Sequence, residues 1–342
     1  MRAIHAVLTV LTLATPLAAS SAETLYVAGA GGSFQKIFEE KIIPAFEAKS
    51  GAKVVYVPGN STDTLAKLIA QKGKSDLSVA IVDDGPMYQA LAQNVCASLD
   101  GVAAVKDLYA AARMPGGKAV GLGFYATGLA YNKEVFARNG WSAPTSWNDL
   151  GDPRFKGKVA MGSIAGYGMV ALPMIARANG GSEEKIDPGF DAMVRRIAPN
   201  VLAWENSPAK MAQMLQTGEA ALAVWGSPRV QAAVDQGAPL AFVYPKEGAA
   251  AGMIAACVVN GAPQPRLAQA LMEDILSPAT QSVLARATGV GPVNRTVSLE
   301  PDVARKVVYG PEQADALVPL NWAVINRDRA EWAKRWNREV ER

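Results

Sequence analysis

The sequence predicts an α/β protein of two lobes, each a mostly parallel sheet flanked by helices, joined by hinge crossovers. Three observations carry that expectation. Short apolar runs alternate with helical periodicity in two separate sets, one before and one after residues 121–132. The stretch between the sets, Gly121–Asn132 (GLGFYATGLAYN), reads as two extended runs, Gly121–Tyr125 and Gly128–Asn132, broken at Ala126-Thr127. Near residue 250 the apolar run Met253–Val259 turns the chain back toward the first set. The 342 residues are enough for two cores.

In the first set, strand Thr24–Ala28 ends in Gly29–Ser33 and leads into a helix over Phe34–Ala48, where Phe34, Ile37, Phe38, Ile42, Ile43 and Phe46 keep helical spacing. Strand Lys53–Val57 is followed by Pro58–Ser61 and helix Thr62–Gln71. Strand Leu77–Val82 is followed by Asp83–Pro86 and helix Met87–Gln93. Ligands of open α/β sheets bind at the carboxyl ends of strands. The candidates in these three loops are therefore Gly31, Gly32 and Ser33, then Asn60 and Ser61, then Asp83 and Asp84. Bare glycine N–H groups and a serine hydroxyl at a helix start favour an anion, although the same glycines serve equally as tight turns. Of the two aspartates, one is expected to face the cleft and meet an ammonium group, or else to cap the next helix.

The second set opens with helix Lys133–Asn139 and the turn-rich stretch Trp141–Lys158. Strand Val159–Gly162 then leads through a second glycine-rich loop, with Ser163 and Tyr167, into helix Ala165–Asn179. After helix Asp191–Ala198, strand Val201–Trp204 ends at Glu205, and Ser207-Pro208 starts a helix. Strand Ala220–Trp225, helix Pro228–Gly237 and strand Leu240–Tyr244 complete the set. Tyr125, Tyr167, Trp204 and Trp225 are the aromatic candidates for the ligand, each equally suited to core packing; Glu205 is a candidate partner for a cation. Pro245–Gly252 reads as the return crossover, followed by helices Arg266–Leu276 and Gln281–Ala287. The tail Asn321–Arg342 is a charged helix with Trp332 and Trp336 one turn apart, a packing face. The expected organisation is 23–125 for the first lobe, 126–248 for the second, and 249–342 returning to the first.

Residues 1–22 hold one charge, Arg2, an apolar run Ala6–Leu17 and small residues to Ala22, the pattern of a cleavable secretory signal peptide. That run is too short to span a bilayer. The chain carries 34 basic and 31 acidic residues, and losing Arg2 leaves a net +2, no field for nucleic acid. The single histidine is His5, inside the expected signal. Without it, Ser-His and Cys-His nucleophile pairs and histidine metal sites are excluded, so neither an enzyme nor a cofactor is expected. Cys96 and Cys257 are the only thiols, read either as a disulfide or as two small buried apolar residues.

Four segments together carry a resemblance: Thr127–Phe136 (TGLAYNKEVF), Thr145–Leu150 (TSWNDL), Asp152–Val159 (DPRFKGKV) and Tyr244–Gly248 (YPKEG). In this order, behind a signal peptide, they resemble the periplasmic solute-binding proteins of ABC importers, in their spermidine/putrescine-binding-like branch. The resemblance implies a two-lobed periplasmic-binding-protein fold of type II-like form that closes on a small-molecule solute. It also implies a periplasmic location and delivery to an inner-membrane ABC permease with a cytoplasmic ATPase; the protein is expected to act as a monomer. Where polyamine binders of this branch carry Trp and Asp after the last motif, this chain has Ala249–Ile254, and the loop Gly162–Gly168 lacks their acidic pair. The loops favour a small organic amine or zwitterion, amino-acid-like or aminophosphonate-like, over a long dication. Polyamine binding, ferric-iron binding, a periplasmic enzyme and a sensor partner are the alternatives. Iron capture ranks low without a Tyr-Tyr pair.

Overall fold

The computed structural model describes residues 23–310, 313 and 317–341; the segment read as a signal peptide lies outside the described residues. Among them, nine strands form one mixed sheet. They are β1 (Thr24–Ala30), β2 (Lys53–Gly59), β3 (Val79–Asp83), β4 (Val120–Asn132), β5 (Val159–Met161), β6 (Val201–Trp204), β7 (Leu222–Gly226), β8 (Leu240–Val243) and β9 (Ala250–Val258). The order is β2-β1-β3-β9-β4-β7-β5-β6, with β8 paired to β4. β1 to β3 are mutually parallel at one end and β5 to β7 at the other, with helices on both faces. β7 is buried along its whole length, which is why its sequence, LAVWG, is a continuous apolar run with no alternation.

The two ends meet at β4 and β9, which run antiparallel. β4 pairs with β9 from Val120 to Thr127, then with β7 from Thr127 to Tyr131 and with β8 from Leu129 to Asn132. The expected break at Ala126-Thr127 is therefore corrected. The strand is continuous over 13 residues, and what changes there is its partner. The one irregularity in register lies earlier, between Gly121 and Gly123. Gly128 is required by close approach: a Cβ there would meet the carbonyl oxygen of Val243 at 2.6 Å.

The apolar core is divided along the same line. One cluster joins Leu25, Phe38, Leu68 and Met87 to Leu122, Val258 and Ile275. A second joins Phe136, Trp147, Leu172 and Phe190 to Trp332 and Trp336, and a third surrounds Trp225. The C-terminal helix Trp322–Glu339 thus corrects the allocation of residues 249–342 to the first lobe. Its tryptophan face packs against second-lobe residues, with Trp336 edge-on to Trp204 at 5.3 Å between ring centres. Amphipathic spacing marks which face of a helix is buried but not what covers it.

Cys96 and Cys257 form a disulfide with Cα atoms 5.7 Å apart. It ties β9, the return strand, to the segment after the first three βα units. The helix expected over Phe34–Ala48 is interrupted: Ser33–Ile37 and Ile43–Ser50 are joined by a π turn over Phe38–Ile42, just ahead of Pro44, whose missing N–H cannot complete the helical ladder.

Candidate functional site

The ends of β1, β2 and β3 and those of β5 and β7 face one another across the β4–β9 ribbon. On the first wall, the Ser61 hydroxyl accepts the backbone N–H of Asp83 at 3.0 Å and donates to Asp83 Oδ2 at 2.8 Å. Asp83 occupies the N-cap position of helix Asp84–Ala92, but its side chain does not cap that helix. Its carboxylate keeps access to solvent while protein closes around it. That desolvation raises its pKa against the opposing pull of Ser61 and of Arg229 on the other wall. Asn60 is spent locally: its Oδ1 accepts Asp63 N–H at 2.8 Å as a helix cap. Gly31, Gly32 and Ser33 are exposed, and Gly32 has φ 71°, the left-handed conformation that a tight turn into the helix requires.

The floor is the hinge. Tyr125 and Gly252 are opposite each other in the β4–β9 ladder, and a Cβ on Gly252 would lie 2.2 Å from the Tyr125 ring, so the phenol lies flat on bare backbone. Asp83 pairs with Ile254, two residues along the same face, which puts its side chain on the Tyr125 side. Burial holds the Tyr125 pKa well above its usual value, helped by the charges of Asp83 and Asp84 and opposed by Arg229. Asp84 points the other way. It is buried behind the ribbon, accepts the Gly85 N–H at 2.9 Å, and has its pKa pushed up to about 7 by desolvation and by Asp83, against the opposing pull of the Trp322 indole. Of the two aspartates, then, only Asp83 faces the cleft.

On the second wall, Tyr167 stands at the start of helix Gly168–Ala178. Its hydroxyl lies against Gly226, where a Cβ would come within 2.7 Å of it. Burial raises its pKa to about 12, so at neutral pH it is a neutral hydrogen-bonding phenol. Ser163 is held by Asn206, which accepts the Ser163 N–H at 3.0 Å and donates to its hydroxyl at 2.6 Å. Helix Ser227–Asp235 begins at the hinge, where Ser227 Oγ accepts the Ala126 N–H at 3.2 Å. Its third residue, Arg229, is exposed and acts electrostatically on Asp83, Tyr125 and Tyr167.

Three expected contacts are corrected. Trp225 is 2% exposed in the third core cluster, because β7 lies between β4 and β5 with helices over it, so it gives the cleft no face. Trp204 turns to Trp336. Glu205 is engaged by the Ser207 N–H at 2.6 Å and by Lys210 at 3.8 Å. Two residues escaped the sequence reading: Asn206, which orders the Ser163 loop, and Arg229. The signal for Arg229 was present in Gly226-Ser227-Pro228-Arg229, a basic residue in the first turn of a helix that starts at a strand end.

A cleft walled by loops from two βα sets, floored by two crossing strands and carrying opposite charges on opposite walls defines a solute-capturing protein. The chain belongs to the bacterial extracellular solute-binding protein family, whose model matches residues 41–309. A γ-aminobutyric acid-binding protein from Pseudomonas aeruginosa is 26% identical over 306 residues, covering 85% of this chain and 83% of that protein. The fold is shared with an ABC transporter protein from Clostridium perfringens (TM-score 0.80, 20% identity, 92% of this chain and 99% of that one). It is shared too with an ABC transporter substrate-binding protein from Bradyrhizobium japonicum (TM-score 0.77, 22% identity, 93% and 99%). The two-lobed α/β fold and the solute-binding family stand as the motifs imply. None of these comparisons confirms the spermidine/putrescine-binding branch.

Proposed function

We propose that this chain is the binding component of an ABC importer for a small zwitterion of the γ-aminobutyrate or aminophosphonate kind. The observation that carries this reading is the placement of Asp83 and Arg229 on opposite walls, each acting on Tyr125 between them. An ammonium group at Asp83, a carboxylate or phosphonate at Arg229, and the Tyr125, Tyr167 and Ser61 hydroxyls would engage both lobes at once. A ligand with such contacts stabilises the closed clamp by its differential affinity for that state. The γ-aminobutyric acid-binding relative supports the ligand class. A polyamine would bring like charge to Arg229, which disfavours the dication. A ferric-ion site built on adjacent tyrosines is not supplied by this sequence, which has no Tyr-Tyr pair.

In this reading the chain binds without catalysis and works as a monomer in the periplasm after removal of residues 1–22. It presents the closed form to an inner-membrane permease driven by a cytoplasmic ATPase. Its lobes divide near residues 125 and 249, except that the C-terminal helix sides with the second lobe. Ligands that bind only the native state raise its melting temperature. A thermal-shift panel should therefore show a rise with γ-aminobutyrate or 2-aminoethylphosphonate and none with spermidine or putrescine. The reverse pattern would sink the zwitterion reading.

A further inference from the structure

The C-terminal helix is anchored to the second lobe along most of its length. Ile325, Trp332 and Trp336 lie in that lobe's core, Asn321 donates its N–H to Glu183 at 3.0 Å, and Arg327 pairs with Glu184 at 3.1 Å. Its first turns, however, grip the first lobe. The Trp322 ring lies so close to Gly85 that a Cβ there would fall 2.7 Å from it, and its indole acts electrostatically on the neighbouring Asp84 carboxylate. Asn326 Nδ2 donates to the Gly85 carbonyl at 3.2 Å and Gln89 donates to Asn326 at 3.3 Å. Trp322 is 8% exposed and Asp84 7%. The residues gripped, Asp84 and Gly85, directly follow Asp83.

We propose that Trp322 is a positioning residue for the Asp83 wall, and that the C-terminal helix is a third link through which second-lobe movement reaches the Asp83 carboxylate. The turn Asp83–Gly85 is held from the cleft side by Ser61 and from the rear by Trp322, so the carboxylate cannot swing without displacing one of them. A cavity of about 230 Å³ adjoins the rear contact, bounded by Asp84, Tyr88, Phe124, Met253, Leu320 and Trp322. It leaves the turn room to move once the indole is gone. β4 and β9 join the lobes through the floor alone, whereas this helix joins them through the wall that carries the charge.

The proposal rests on Asp83 meeting the ligand, so its test has one arm that needs no ligand. Hydrogen exchange of the free protein should show faster exchange at the Asp83 and Gly85 amides in Trp322→Ala, with β1 and β7 as protected as in wild type. Trp322→Phe, which keeps a ring against Gly85, should restore most of the protection. Unchanged Asp83 protection in Trp322→Ala would overturn the proposal, and loss of protection across the whole sheet would reduce Trp322 to a packing role. In the second arm, γ-aminobutyrate is titrated calorimetrically. Trp322→Ala is expected to weaken binding about 2- to 30-fold, the range for couplings without ligand contact, and Trp322→Phe less. If Asp83→Asn leaves binding untouched while Trp322→Ala still loosens the Asp83 amide, the ligand reading fails and the positioning role stands.

Discussion

Ser61 and Asp83 are joined by two hydrogen bonds, the serine hydroxyl receiving the aspartate's N–H at 3.0 Å and giving its proton to the carboxylate at 2.8 Å. The pair links the ends of β2 and β3 and aims one carboxylate oxygen while leaving the other free. Removing a charge that meets an ammonium group costs about 1.5–3 kcal/mol, so Asp83→Asn should weaken γ-aminobutyrate roughly 10- to 150-fold by calorimetry. Ser61→Ala should cost about 1 kcal/mol, close to fivefold. Equal affinity in Asp83→Asn and wild type would remove this carboxylate from the site.

Arg229 supplies the opposite charge, and its loss should change selectivity as well as affinity. Arg229→Gln should weaken γ-aminobutyrate about 10- to 100-fold, with n-butylamine, which has no carboxylate, affected little. Arg229→Glu should go further and admit putrescine, since both walls would then be acidic. Competition titrations with the three ligands decide this. Parallel losses for γ-aminobutyrate and n-butylamine would mean that Arg229 acts on the fold and not on the carboxylate.

The Cys96–Cys257 bond closes a loop whose ends are 161 residues apart in sequence. Removing a native disulfide typically costs about 2–5 kcal/mol, more for long loops. Cys96→Ala/Cys257→Ala should accordingly lower the denaturant midpoint, and dithiothreitol should destabilise wild type but not the double variant. A reductant effect of equal size on both proteins would show that the bond is not formed in solution.

Asp84 gives the fold a pH dependence whose sign is fixed. Its folded pKa, pushed up to about 7, lies above the usual carboxylate value of 3.8, so burial stabilises the protonated form. That contribution is complete below the unfolded pKa and is lost as the pH rises through 7. At about 1.4 kcal/mol per unit, the cost of ionising Asp84 is at most about 4 kcal/mol. Asp84→Asn keeps an acceptor for the Gly85 N–H without the charge. Its advantage over wild type in urea denaturation should be largest at pH 8 and shrink toward pH 4. An advantage that stays constant over that range would refute a buried titrating Asp84.

Much of the site's framework was legible in the sequence because strand ends and helix starts are local. Asp83 and Asp84 followed an apolar run, and alternation required that only one of them face the cleft. Which one it is depended on the register of β3 against β9, where Asp83 falls opposite Ile254 on the Tyr125 face. Trp225 and Trp204 were misplaced because an aromatic at a strand end carries no mark of what lies over it. β7 proved central, and Trp204 found Trp336 from 132 positions away.

By itself the sequence determined the alternating βα pattern, the crossover at residues 121–132, the absence of histidine outside the first 22 residues and the motifs of the solute-binding family. These follow from periodicity, composition and short-range chemistry. Only the tertiary structure decided that β4 changes partners without breaking, that the C-terminal helix crosses to the second lobe, and that Arg229 stands opposite Asp83. Those relations join residues far apart in sequence: Tyr131 pairs with Leu222 across 91 positions, Trp204 meets Trp336 across 132, and Arg229 lies 146 positions beyond Asp83. No local preference encodes them, because they are set by which apolar faces can be buried together and which charges the closed sheet then brings face to face.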